Sequence, residues 1–223
     1  MKVAILPVTP FEQNCSILVD ESTQRCAVVD PGGDLDRLKE VIDAQGIRLT
    51  KVLLTHGHVD HASAAGSLAE QYGVKIEGPH RDDLFLIEEL PNSGAKYNFP
   101  TYKPFVPDRW LENGDTVTIG KQTLDVVHCP GHTPGHVVFV HKPAKIAFVG
   151  DVLFRGSIGR TDFPRGNHDQ LLNSIRQRLW PLGDDMQFVP GHGQTSTFGW
   201  ERKTNPFVAD LLFEDDETGG SKA

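Results

Sequence analysis

Short apolar runs broken by Gly, Pro and Asp recur along the chain, and their spacing predicts strands and helices in turn. Met1-Lys2-Val3-Ala4-Ile5-Leu6 is cut by Pro7 and Pro10 too early for the apolar core of a signal peptide, so it reads as a first strand. Ser16-Ile17-Leu18-Val19 and Cys26-Ala27-Val28-Val29 predict two more, and Asp30-Pro31-Gly32-Gly33 predicts a turn. After Asp34, placed as an N-cap, Leu35, Leu38, Val41 and Ile42 recur at helical spacing as far as a stop at Gly46. A second unit of this kind runs from Lys51-Val52-Leu53-Leu54 through a His-rich loop into a helix carrying Ala65, Leu68, Ala69 and Tyr72, closed by Gly73.

Residues 91–107 interrupt the pattern. Pro91, Asn92, Ser93, Gly94, Pro100, Pro104 and Pro107 fit neither period and predict a long surface loop. Tyr97 and Tyr102, beside Lys96 and Lys103, suit it to a substrate lid, and a plain connector is the alternative. Thr116–Ile119 and Thr123–Val127 then read as a hairpin turning at Gly120-Lys121, and Val137–Val140 and Lys145–Val149 repeat the pattern across Lys142-Pro143. A helix with Leu171, Leu172, Ile175 and Leu179 on one face precedes a final strand, Gln187-Phe188-Val189. The expected organisation is a single domain over residues 1–213 and a disordered acidic tail at 214–223.

Composition narrows the function. At 223 residues and 38% hydrophobic content the chain can bury one sizeable core. Thirty acidic residues against 22 basic ones give a net charge of -8 with no basic run, which argues against nucleic acid as a partner. No stretch approaches the roughly 20 apolar residues of a membrane helix, so a soluble protein is expected. Cys15, Cys26 and Cys129 form no Cys-x-x-Cys pair and suit a reducing cytoplasm, with Cys129 read as a small buried thiol in preference to a nucleophile.

The histidines are clustered. Val52–Leu54 leads to His56, His58, Asp60 and His61; Val126-Val127 leads to His132; Ala147–Val149 leads to Asp151; Phe188-Val189 leads to His192. Four strand ends thus deliver seven candidate metal ligands. A divalent cation needs neutral imidazoles and carboxylates on rigid supports, and strand ends are such supports. His56 and His58 alternate and share one side of an extended segment, whereas Asp60 and His61 lie where the chain bends into a helix, so one loop can serve two adjacent metals. His128 and His136 are read as structural, His80 and His141 as loop residues, and Asp30 as a turn former behind the site.

The ordered set THGHVDH, HCPGHTPGH, FVGD and VPGHG, spread from about Leu6 to Phe198, resembles the metallo-β-lactamase superfamily. The resemblance implies an α/β fold, a four-layer αβ/βα sandwich with both metals between the sheet edges. It also implies His56, His58 and His132 on one metal, Asp60, His61 and His192 on the other, and Asp151 between them. Within the superfamily, LLTHGHVDHASAAGSL and GDVLFRGSIGRTDFPRG look most like glyoxalase II, the hydroxyacylglutathione hydrolases, and imply a small-molecule thioester substrate. The 31 residues after His192 are too few for the helical C-terminal domain with which longer glyoxalase II enzymes contact glutathione, so the similarity is to the short, single-domain type. GRTDF also resembles persulfide dioxygenases, which use one iron on a similar scaffold, while VPGHGQTSTFGWE favours the hydrolase branch. A non-catalytic structural site would be closed by four ligands, whereas seven about two ions leave room for water.

Two divalent cations are therefore expected, zinc first, with iron or manganese compatible with the oxygen ligands Asp60 and Asp151. Sharing a water between them lowers its pKa to about 7 and supplies a bridging hydroxide as nucleophile. Asp60 and Asp151 are the candidate catalytic carboxylates, Asp60 as acceptor of the water's proton. Arg155, Arg160 and Arg165 are candidates for binding a substrate carboxylate, with an Arg160–Asp162 ion pair as the alternative. The sequence carries no signal for oligomeric state.

Overall fold

Period-two burial organises both halves of the chain, whose residues 1–100 and 102–213 are described by a computed structural model; the tail expected at 214–223 lies outside the described residues. In the first half, β1 (Lys2–Val8), β2 (Gln13–Asp20), β3 (Arg25–Val29), β4 (Arg48–Leu53) and β5 (Lys75–Glu77) form a sheet in that order. It is antiparallel as far as β3 and parallel from β3 to β5. α1 (Leu35–Ala44) links β3 to β4, α2 (Val59–Ala62) and α3 (Ala65–Tyr72) link β4 to β5, and α4 (Leu84–Tyr97) follows.

The second half contributes β6 (Thr116–Ile119), β7 (Gln122–His128), β8 (Val137–His141), β9 (Ile146–Gly150) and the small hairpin β10 (Leu153–Phe154) and β11 (Ser157–Ile158). α5 (His168–Ser174) runs on into a π-helical turn at Ile175–Leu179, and β12 (Gln187–Pro190), β13 (Ser196–Thr197) and α6 (Phe198–Thr204) complete it. The sheet order is β13-β12-β9-β8-β7-β6, with only the β12–β9 pairing parallel.

Side chains alternate across a strand, so a sheet that is apolar on both faces must be covered twice. On β2 and β3, Cys15, Ile17, Cys26 and Val28 join Leu38, Ile42 and Leu68 of the helices, while Leu18, Ala27 and Val29 belong to a different cluster. On β8 and β9, Val138, Val140, Ala147 and Val149 join Leu171, Ile175 and Phe198, while Val137, Phe139 and Phe148 share the cluster of Leu18 and Val29. Three apolar seams therefore separate four layers, the αβ/βα sandwich that the motifs imply. No helix among the described residues is long and apolar enough to cross a membrane.

The structure corrects the expectation for residues 91–107. Most of the supposed loop's first half belongs to α4, which carries Pro91 in its interior. Proline there removes an N–H and costs a helix about 3 kcal/mol. Burial offsets that loss: Ile87, Leu90 and Gly94, at i, i+3 and i+7, are buried, and the first two join the core under the first sheet. Asn98 ends the helix in the left-handed conformation at φ 60°. Asp34 is a second correction. It precedes α1 but is left-handed at φ 50° and caps nothing; its Oδ2 accepts a hydrogen bond from Thr9 N at 3.0 Å, tying the helix start to the β1–β2 turn. His141, expected in a loop, is buried at the end of β8, where its Nδ1 accepts from Ala144 N at 3.2 Å.

Candidate metal centre

The loops that follow β4, β7, β9 and β12 meet at one edge of the sandwich and bring all seven expected donors together. His132 Nε2 stands 3.0 Å from His58 Nδ1, and the rings of His56 and His132 are 5.1 Å apart; these three residues form one set. His192 Nε2 is 3.1 Å from Asp60 Oδ2, which is 3.7 Å from His61 Nε2; these form a second. Asp151 touches both, with Oδ1 3.3 Å from His61 Nε2 and Oδ2 3.6 Å from His132 Nε2 and 3.8 Å from His192 Nε2.

Hydrogen bonds on the far side orient four of the five rings. His56 Nδ1 donates to Thr55 Oγ1 at 3.0 Å, and that hydroxyl donates to Asp30 Oδ2 at 2.6 Å. The same carboxylate accepts from His61 Nδ1 at 2.9 Å and from Thr55 N at 2.7 Å, which uses up its oxygens and makes Asp30 a support for the imidazoles. His132 Nδ1 donates to Arg160 O at 2.7 Å and His192 Nδ1 to Phe11 O at 3.0 Å. With Nδ1 committed on the far side, these four rings turn Nε2 inward toward the donor cluster. His56 Nε2, His61 Nε2 and Asp151 Oδ1 are buried without a hydrogen-bond partner, a condition rare in proteins and suited to cation ligation.

Electrostatics differ between the sets. Burial, reinforced by neighbouring imidazoles, holds His56 well below the ordinary histidine range and His58 at about 3, and burial also lowers His132. Burial also opposes charge on His61 and His192, but Asp151 and Asp60 outweigh it and raise both. Burial works against ionised Asp60 and Asp151 too, yet His61 and the other imidazoles keep both below the usual carboxylate range.

Residues without a sequence signal position the loops. The wholly buried Asp83 carboxylate accepts from Gly57 N at 3.0 Å, Thr133 Oγ1 at 2.8 Å and Gly135 N at 2.6 Å, joining the loop of His56 and His58 to that of His132. Burial pushes its pKa up to about 6 in spite of these bonds. Asn14 Nδ2 donates to Pro190 O at 3.0 Å and Gly193 O at 2.9 Å, bracing the loop of His192. His136 accepts from Asp151 N at 3.1 Å, which accounts for it structurally. His80 and His128 stack with centroids 4.3 Å apart and are committed to Glu112 Oε2 and Pro134 O.

His58, Asp60, His132, Asp151 and His192 floor a cavity of about 1300 Å³ that α4 walls on one side. Arg155 and Arg160 line it, Arg155 donating to Gln194 Oε1 at 2.5 Å and Arg160 gripping Asp162 at 2.9 and 2.7 Å. Arg165 does not; its guanidinium lies 4.2 Å from the ring centroid of Phe85. Cys129 is buried and its thiol is pushed up to about 12 by burial, which leaves it unfit as a nucleophile.

The family model of the metallo-beta-lactamase superfamily matches residues 8–192. The chain is 44% identical over 209 residues to hydroxyacylglutathione hydrolase GloC of Haemophilus influenzae, covering 93% of this chain and 98% of that one. Its structure is similar to that of the B3 metallo-beta-lactamase BLEG-1, with a TM-score of 0.86 and 32% identity over 93% of this chain and 99% of the other. It is also similar to TTHA1623 in a di-iron-bound form, with a TM-score of 0.83 and 33% identity over 92% and 100% of the two chains.

Proposed function

The chain belongs to the metallo-beta-lactamase superfamily, and from that premise we propose that this metal-dependent hydrolase cleaves an acyl thioester, S-lactoylglutathione or a related acylglutathione. The observation that carries the proposal is the pair of donor sets sharing Asp151 at the floor of a cavity, in a chain similar to a hydroxyacylglutathione hydrolase along nearly all its length. His56, His58 and His132 would hold one divalent cation, Asp60, His61 and His192 a second, and Asp151 both. Zinc suits the imidazoles, and iron or manganese the carboxylates. When bound, the two ions supply Lewis acidity toward the thioester carbonyl and a shared water acidified to a pKa of about 7.

The protein's own groups do the rest. The Thr55–Asp30 chain keeps His56 and His61 in the tautomer that presents Nε2. Asp60, which lines the cavity beside His192, is the carboxylate we assign to accept the proton that the attacking water loses. Phe163, 5.0 Å from the His58 ring, and Phe154, 6.3 Å from that of His192, wall the donors and limit bulk water around the reacting carbonyl. As the C–S bond breaks the thiolate departs as an anion, and its low basicity removes the need for a side chain to protonate it. The buried free thiols Cys15, Cys26 and Cys129 support work in a reducing compartment, the cytoplasm.

Steady-state hydrolysis of S-lactoylglutathione by protein loaded with zinc, iron or manganese, read beside metal content, tests the proposal. Turnover that rises toward two metals per chain is the expected result. Oxygen uptake with glutathione persulfide at one iron per chain, without thioester cleavage, would overturn it. The electrostatics add an expectation on pH. The first set is unprotonated at neutrality, whereas a cation entering the second must displace the proton that the carboxylates keep on His61. As pH falls from 8 to 6 the second set should lose metal first. Zinc titrations of chelator-stripped protein in buffers of different ionisation enthalpy read this directly, and an equal pH response at both sets would contradict it.

A further inference from the structure

We propose that Asp83 is a positioning residue for the first donor set alone, and that the two sets stand on separate backbone frames whose metal affinities can be altered one at a time. The proposal rests on the two-set metal assignment and adds what keeps each set in shape. His58 is the ring most in need of a frame. His56, His61, His132 and His192 each have a hydrogen bond on the far side, whereas the one hydrogen bond of His58 among the described residues is to His132 Nε2, inside the cluster. Its place is therefore set by its backbone and by ring contacts with His56 and Phe163.

That backbone is tied one residue earlier, where Gly57 N donates to Asp83 Oδ2 at 3.0 Å. The same oxygen accepts from Thr133 Oγ1, one residue after His132, and Oδ1 accepts from Gly135 N. One carboxylate thus spans the two loops whose ligand atoms must meet, His58 Nδ1 and His132 Nε2. The clamp has little play. Asp83 N donates to His80 O at 3.1 Å and His80 N to Gly135 O at 3.0 Å, so the turn before α4 and the loop of His132 are bonded twice over. A methyl on Gly135 would lie 2.6 Å from Asp83 N, and one on Gly57 2.7 Å from Leu86 Cβ, so both loops close directly on the start of α4. Asp83 is wholly buried and no basic side chain pairs with it among the described residues, so these three hydrogen bonds are what hold the carboxylate in place.

The second set is seated elsewhere. A methyl on Gly32 would overlap Asp60 O, Ala64 N donates to Pro31 O at 3.0 Å, and His61 Nδ1 donates to Asp30 Oδ2 at 2.9 Å, so α2 rests on the turn after β3. His192 stands in a loop that Asn14 of β2 grips three times, through Nδ2 to Pro190 O and Gly193 O and through N to Gly191 O. None of the side-chain hydrogen bonds of Asp83 reaches either segment. Loosening Asp83 therefore frees His58 from His132 while Asp60, His61 and His192 keep their supports.

The test is stepwise zinc titration of chelator-stripped protein by calorimetry against a competing chelator, with His132→Ala and His192→Ala marking the step that belongs to each set. Asp83→Asn keeps the size of the side chain but turns an N–H toward groups that themselves donate. It should weaken the first-set step by about 10- to 100-fold and leave the second within about threefold of wild type. Thr133→Val removes one of the three hydrogen bonds and keeps the charge; it should act in the same direction and by less. Asn14→Ala should weaken the second-set step alone. Weakening of both steps alike by Asp83→Asn, with Thr133→Val silent, would mean that the carboxylate acts through its charge and would overturn the proposal, as would no weakening at all. Should Asp83→Asn fail to fold, Thr133→Val and Asn14→Ala still decide between selective and common effects. Selective weakening in a protein that cleaves no thioester would support the frames and remove the thioesterase. A single zinc step in the wild type would overturn the two-set assignment and the proposal with it.

Discussion

Asp151→Ala is expected to lower kcat/KM for S-lactoylglutathione by about 10³-fold or more, on the order of 4 kcal/mol of transition-state stabilisation, and to leave the protein unable to keep two metals. The size follows from position. Asp151 is a carboxylate within 4 Å of members of both sets, through Oδ1 to His61 and Oδ2 to His132 and His192. Its carboxyl is also held below the usual range against the pull of burial, so on the proposed assignment its loss would remove the charge shared by the two cations. His132→Ala should damage the first set alone and leave the second able to bind. Metal content by elemental analysis and single-substrate kinetics read both effects. Retention of two tightly bound metals by Asp151→Ala, with activity within tenfold of wild type, would mean that the carboxylate does not bridge.

Gly191→Ala should be nearly as damaging although glycine contributes no donor. A methyl at this position would overlap Asp151 Oδ1 and stand 2.6 Å from His61 Cε1. The backbone has no freedom to retreat, because Gly191 N donates to Gly150 O at 2.7 Å and its own carbonyl accepts from Asn14 N at 2.7 Å. One methyl group must push Asp151 or His61 off its place, and displacing a reacting group by about 1 Å can cost on the order of 10²-fold in rate. The expected signature is a loss of activity and of metal affinity with modest loss of stability, since the apolar seams are untouched. Thermal melts of the metal-free variant against metal-free wild type separate the two, and a variant with normal metal content and normal turnover would show that the loop yields.

The donors were legible in the sequence because each follows an apolar run: Val52–Leu54 before His56, Ala147–Val149 before Asp151, Phe188-Val189 before His192. A strand fixes its last residue, so polar ligands at strand ends announce themselves. The sandwich was legible in the same way, from strands apolar on both faces. α4 was hidden because its buried face ends in a glycine and its exposed face carries the proline, so the polar residues of a cavity wall read as loop. The supports were hidden for a different reason. Asp30 alone was marked as lying behind the site, but its partner Thr55 is 25 positions on, Asp83 and Gly135 are 52 apart, and Asn14 and Gly193 are 179 apart, and nothing local in the chain marks such pairs.

Each donor set draws on both halves of the chain, His56 and His58 with His132, Asp60 and His61 with His192. The halves are otherwise pressed together by the middle seam of Leu18, Val29, Phe139 and Phe148, and the three cysteines form no bridge across it. On the proposed assignment a bound cation is a rivet through the sandwich. An ion present at about 100 times its dissociation constant adds about 2.7 kcal/mol to the folded state, a large share of the 5–15 kcal/mol by which domains are stable. Metal starvation would then thin the population of folded molecules as well as silence them, making the steady-state level of this protein a gauge of the cell's free metal.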